Sequence, residues 1–134
     1  MIHRVIAVGK WVIDVLIAEE DYDIEGVLSC MYEIDASYHW MRRANEIMKS
    51  GGMNKAFTYS NADRRRAVVV IGPTTSGKEF QDSVVHELLH LAVHIVSAEG
   101  LDVESEDPAY LAGDGARELA DIICEMGCPN CNPD

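Results

Sequence analysis

The sequence predicts one α+β domain over residues 1–134, a small, mainly antiparallel sheet packed on helices. Three observations carry that prediction. Short apolar runs with strand character occur near the start and again before residue 72; helix-capping residues stand at Asp23, Ser37 and Ser76; and nothing breaks a helix between Ser76 and Gly100. A length of 134 residues fits a single domain. A composition 48% hydrophobic and 25% charged is that of a globular chain with a real core, large enough to fold without disulfide staples.

Taken in order, residues 3–8 and 11–18 read as two strands with Gly9-Lys10 as a two-residue hairpin turn. Asp23 caps a helix over 24–35, where Ile24, Val27, Leu28, Met31 and Tyr32 recur at helical spacing. Ser37 caps a second helix over 38–49, and Gly51-Gly52 stops it. Residues 56–60 form a short strand, Asn61 to Arg65 a polar turn, and 66–71 the clearest strand of the chain, so that a second hairpin is expected. Ser76 and Glu79 match a capping box, opening a long helix. Its second half shows almost no polar face, which implies burial on most sides. Pro108 suits the first turn of a last helix reaching Met126. The tail from Gly127 to Asp134 should be irregular.

The formal net charge of −12 disfavours binding to phosphate backbones, and the clusters Arg42-Arg43 and Arg64-Arg65-Arg66 read as solvated surface. Neither nucleic acid nor membrane is an expected partner. No apolar run is long enough to span a bilayer, and no leader-peptide cleavage pattern follows the apolar start. Cys30, Cys124, Cys128 and Cys131 lack the spacing of a secreted disulfide framework, so a reducing, cytoplasmic setting is expected.

The chemistry concentrates in His86-Glu-Leu-Leu-His90. Two histidines four apart on a helix are separated by about 400° of rotation and share one face, one turn apart. That spacing lets two ring nitrogens reach one zinc ion at roughly 2.0–2.1 Å. Glu87 points elsewhere, placed to touch a water on the metal and take its proton as that water attacks a carbonyl. Polar groups on an otherwise oily helix need such a reason, because burying them unpaired is costly.

A zinc site needs a third protein ligand. His94 continues the series, but its direction lies about 80° from that of His86, which strains three-way convergence and suits it better to orienting a ligand or polarising a substrate. Downstream carboxylates are Asp102, Glu104, Glu106, Asp107, Asp114 and Glu118; Glu106, just ahead of the last helix, is the choice. A metzincin is excluded because Val93 and Val96 stand where its pattern places glycine and histidine.

Phe57-Thr-Tyr-Ser-Asn61, Val70-Ile-Gly72, Glu79-Phe80, His86-Glu-Leu-Leu-His90 and Glu106-x-x-Ala-Tyr-Leu-Ala-Gly113 together resemble small gluzincin-type zinc-peptidase-like proteins of bacteria and their phages. The resemblance covers about half the chain. It implies a zincin-like fold with a strand ahead of the active helix, a bound zinc and Glu106 as third ligand, and it names no substrate. Asp107-Pro108 could shift the cap, leaving Glu104 or Asp107 as replacements. An edge strand, either Phe57–Ser60 or Arg66–Ile71, would pair with an extended peptide substrate. Tyr110 and Tyr59 are candidates for holding the oxyanion.

Two further patterns compete for attention. Gly72-Pro-Thr-Thr-Ser-Gly-Lys78 looks like a phosphate loop, but Glu79 stands where the magnesium-binding hydroxyl belongs, and a helix cap explains the same residues. Cys124, Cys128 and Cys131 allow a second zinc with Cys30, or a redox pair, against the plainer reading of a loose tail. Trp11 and Trp40 read as core anchors. The expected function is zinc-dependent hydrolysis of peptide bonds in a peptide or protein substrate. The rival is a zinc-stabilised binding or structural module of a phage or mobile element, without turnover. The intact Glu87 favours the first, and the small size favours the second.

Overall fold

The computed structural model of the chain describes residues 1–127. In chain order the elements are β1 (Ile2–Val8), β2 (Trp11–Ile17), α1 (Ile24–Glu33), α2 (Tyr38–Lys49), β3 (Ala56–Asn61), a 3-10 turn (Ala62–Arg64), β4 (Arg66–Ile71), α3 (Gly77–Ala98), α4 (Asp107–Glu118) and α5 (Ala120–Gly127).

Both expected hairpins form. Gly9, at φ 58°, supplies the left-handed first position of the β1–β2 turn, and Lys10 needs no such conformation, the pattern of a II′ turn. β1 then pairs with β2 antiparallel from Ile2↔Ile17 to Val8↔Trp11. β3 pairs with β4 antiparallel from Ala56↔Ile71 to Asn61↔Arg66. The hairpins join through β2 and β4, which run parallel, giving the order β1-β2-β4-β3. The sheet is therefore mixed, with antiparallel outer pairings around a parallel centre. Alternation in a strand specifies which face is buried but says nothing about which strand lies alongside.

Helices cover both faces. Ile13, Val15, Ile17, Ala67, Val69 and Ile71 share one core with Phe80, Val84, Leu88, Leu91 and Ile95 of α3. Leu16, Val68 and Val70 share the other with Val27, Met31 and Ile34 around α1 and with Ala44 and Met48 of α2. Burial on both faces is why β4 reads as an unbroken apolar run. The three expected caps are in place: Asp23 accepts from Gly26 N at 3.0 Å, Ser37 from Trp40 N at 3.4 Å and Ser76 from Glu79 N at 3.2 Å.

Several expectations need correction. α3 is not buried on most sides: Val85 and Leu89 are 67% and 55% exposed, because the sheet covers one side of the helix and α4 only its flank. Trp11 is a core anchor, its Nε1 donating to Glu99 at 3.0 Å, but Trp40 is mostly exposed. The last helix breaks at Leu119 (φ −104°, ψ 9°), where the change of direction carries Leu119 and Ile122 into the core. Gly127 closes α5 rather than opening an irregular tail; Cys128, Cys131 and the rest of that tail lie outside the described residues. The stretch resembling a phosphate loop is tied down locally: Gly72 N donates to Lys55 O at 2.7 Å and Thr75 N to Asn54 at 3.0 Å. Among the described residues no helix is long and apolar enough to cross a membrane.

Candidate metal centre

β3 forms one border of the sheet and β4 lies inside it, so of the two strands considered for pairing with a peptide only β3 has a free edge. Its alternate residues serve different layers. Phe57 and Tyr59 pack with the core under α1 and α2, while Ala56, Thr58 and Ser60 meet the side of α3. Between α2 and α3, along this border, lies a groove of about 540 Å³. Trp40, Arg43 and Ile47 line it from α2, residues 56–60 from β3, and His86, Glu87, His90 and His94 from α3.

His86 and His90 project from α3 as their spacing dictates. Their Nε2 atoms lie 3.0 Å apart, with ring centroids separated by 4.7 Å. Two neutral imidazoles can share one proton at that distance, but both facing nitrogens also converge on a common point. Two nitrogens on one tetrahedral zinc would stand about 3.3 Å apart, given Zn–N bonds of roughly 2.05 Å. The pair fits a metal with little adjustment.

Glu87 turns inward toward β3 and is 3% exposed. A carboxylate this buried needs a donor, and Thr58 Oγ1 provides one to Oε2 at 2.6 Å. The donor atoms of His86, Glu87 and His90 all lie within 4.8 Å of one another, so the carboxylate stands beside the histidine pair. His94 is half-buried, with Nδ1 2.9 Å from Ser60 Oγ. Burial first, and the neighbouring His90 second, hold its pKa below the ordinary 6.5 against an opposing pull from Glu87, so at neutral pH it lines the groove as a neutral imidazole.

None of the carboxylates considered as third ligand belongs to the close His86–Glu87–His90 group. Glu106 is exposed at the N-cap of α4, its carbonyl accepting from Tyr110 N at 3.0 Å, and it is not in the His86–Glu87–His90 group. Asp102 accepts from Glu104 N at 2.9 Å, Asp107 from Ser105 Oγ at 3.1 Å and Asp114 from Arg117 at 2.9 Å. Tyr110 is 68% exposed on α4 and does not line the groove, whereas Tyr59 does, 6.4 Å from the Trp40 ring.

Thr58 and Ser60 were noted within the Phe57–Asn61 stretch, and Arg43 as solvated surface, but none of the three was given a part in the site. The first two left a signal: hydroxyls at alternate positions of a strand must share a face. Arg43 left none, since its role depends on α2 standing opposite α3. No protein-family model, curated protein or solved structure matches the chain.

Proposed function

We propose that this chain is a zinc-dependent hydrolase of peptide bonds acting in the groove between α2 and α3. One observation carries the reading: two imidazole Nε2 atoms meet at 3.0 Å beside a carboxylate that is buried yet held by a single hydroxyl. A structural metal site has no use for such a carboxylate, and a hydrolytic one does.

His86 and His90 would hold the metal. When bound, zinc acidifies water and polarises a carbonyl. Glu87 takes the proton of the attacking water as the new C–O bond forms, and passes it to the amine nitrogen as the C–N bond breaks. Thr58 occupies Oε2, which fixes the carboxylate and leaves Oε1 to handle the proton. The free border of β3 offers main-chain N–H and C=O groups to an extended peptide, whose alternate side chains would then face α2 and α3. His94, neutral and steadied by Ser60, can donate a hydrogen bond to a substrate carbonyl.

The test is metal content followed by turnover. One zinc per chain in the parent, lost in His86→Ala and His90→Ala, is expected. Loss in Glu106→Ala as well assigns it the third position; retention removes it. With zinc retained, Glu87→Gln should abolish cleavage of an unstructured protein substrate such as casein. Full hydrolysis by that variant would refute the mechanism. Zinc binding without hydrolysis by the parent would favour a structural module.

A further inference from the structure

A second group of side chains lies on the far face of the sheet from α3 and belongs to three different elements: His3 on β1, Asp14 on β2 and Cys30 on α1. The pairings explain the meeting. His3 stands opposite Leu16 and Asp14 opposite Val5, so both project toward the layer of α1, where Cys30 sits.

Asp14 is 5% exposed, in a strand whose other residues, Val12 excepted, are core residues. Arg66 Nη2 binds Oδ2 at 3.0 Å, which already neutralises the carboxylate. The other oxygen, Oδ1, lies 2.9 Å from His3 Nε2, and Cys30 Sγ lies 4.0 Å from the same nitrogen. That sharing counts against a catalytic relay. A Cys-His-Asp relay would use both imidazole nitrogens, one for the thiol and one for the carboxylate. Here the thiol and the carboxylate crowd a single nitrogen, as donors do when they point at one cation.

We propose that His3, Asp14 and Cys30 form a metal site for a borderline-soft divalent cation such as zinc, separate from the His86–His90 centre. On a tetrahedral zinc a histidine nitrogen stands about 3.4 Å from a carboxylate oxygen and about 3.6 Å from a thiolate sulfur, from the usual bond lengths. The observed 2.9 and 4.0 Å require shifts of only about half an ångström. Nitrogen, oxygen and sulfur donors together suit zinc better than calcium or magnesium. Arg66 keeps Asp14 oriented through Oδ2 and leaves Oδ1 for the ion. His3, at the solvent side with 44% of its side chain exposed, leaves a path for entry and a fourth position for water.

Cobalt(II) tests the site independently of any hydrolysis, because thiolate-to-cobalt charge transfer gives a near-ultraviolet absorption band that histidine and carboxylate do not. The full chain with Cys124, Cys128 and Cys131 all changed to serine retains one thiol, Cys30, so any such band belongs to it. Under reducing conditions the band should reach saturation at one equivalent when the His86–His90 centre is removed by substitution, and by two equivalents when that centre is present and competes for cobalt. It should persist in His86→Ala and His90→Ala placed on that background, and His3→Ala should weaken binding at least about ten-fold. His3 is at the surface, so its replacement leaves the fold intact, as circular dichroism would verify. No band, or a band of unchanged affinity in His3→Ala, overturns the proposal, whatever the outcome at the other centre.

Discussion

Replacing Thr58 by valine isolates the hydroxyl that holds Glu87. Valine keeps the branched shape, suits a strand and leaves the packing on α3 in place, so the change removes little besides the 2.6 Å bond to Oε2. Glu87 is 3% exposed, so water replaces that donor poorly. A hydrogen bond to a charged group contributes about 1.5–3 kcal/mol, and losing it with the carboxylate still buried belongs in that range. We expect Thr58→Val to destabilise the chain by about 2 kcal/mol, and Thr58→Ser, which keeps the hydroxyl, by much less. With a urea m-value of about 2 kcal/mol/M, the unfolding midpoint should fall by about 1 M. Glu87→Gln removes the buried charge, so the double variant should lose clearly less than the sum of the single changes. Measurements belong in chelator, to keep metal out of the comparison. A midpoint for Thr58→Val within about 0.2 M of the parent would refute the argument that this hydroxyl stabilises a buried carboxylate.

Glu99 gives a pH prediction. The Trp11 indole N–H, and next the Arg65 guanidinium, hold its carboxyl below the ordinary 4.5. A folded-state value lower than the unfolded one stabilises the fold above pH 4.5 and loses that contribution as the pH falls through the lower, folded value. Glu99→Gln should flatten the stability profile in that acid window, read as urea midpoints across it; an unchanged profile would count against the pairing. At Gly72, a Cβ would stand 2.3 Å from the Lys55 carbonyl and 2.1 Å from Tyr22 Oη, so Gly72→Ala should cost about 1–3 kcal/mol in thermal unfolding, and a neutral result would contradict the close approach. Among the described residues Arg43 is the one lysine or arginine lining the groove. Fluorescent peptides with an acidic side chain should bind Arg43→Glu about five-fold more weakly than the parent, a change of about 1 kcal/mol for an exposed pair, while uncharged analogues should bind the two equally.

Much of this was legible from local chemistry. Caps at Asp23, Ser37 and Ser76, the Gly9 turn and the strand at 66–71 are decided by residues a few positions apart, and the structure has them where the sequence puts them. The meeting of His86 with His90 is likewise a property of one helix. What could not be read depends on neighbours distant in the chain. The parallel β2–β4 pairing, the exposed Val85 and Leu89, and the break at Leu119 follow from how layers stack. So does the cluster of His3, Asp14 and Cys30, whose members look like an edge histidine, a strand aspartate and a core cysteine until strand register brings them together.

The two walls of the groove are fastened very differently. α3 lies against β3, β4, α4 and α5; Ser76 caps its first turn, Gln81 holds Gly127 O at 2.7 Å, and Glu99 at its far end is gripped by Trp11 and Arg65. α2 leans chiefly on α1, and the chain turns through left-handed residues on either side of it, Asp35 before and Gly51 and Gly52 after. The groove thus resembles a vice with one fixed jaw. The histidines ride on the more firmly fastened side, and if the proposed substrate binding holds, adjustment to the girth of a guest would fall to α2, carrying Trp40 and Arg43 with it.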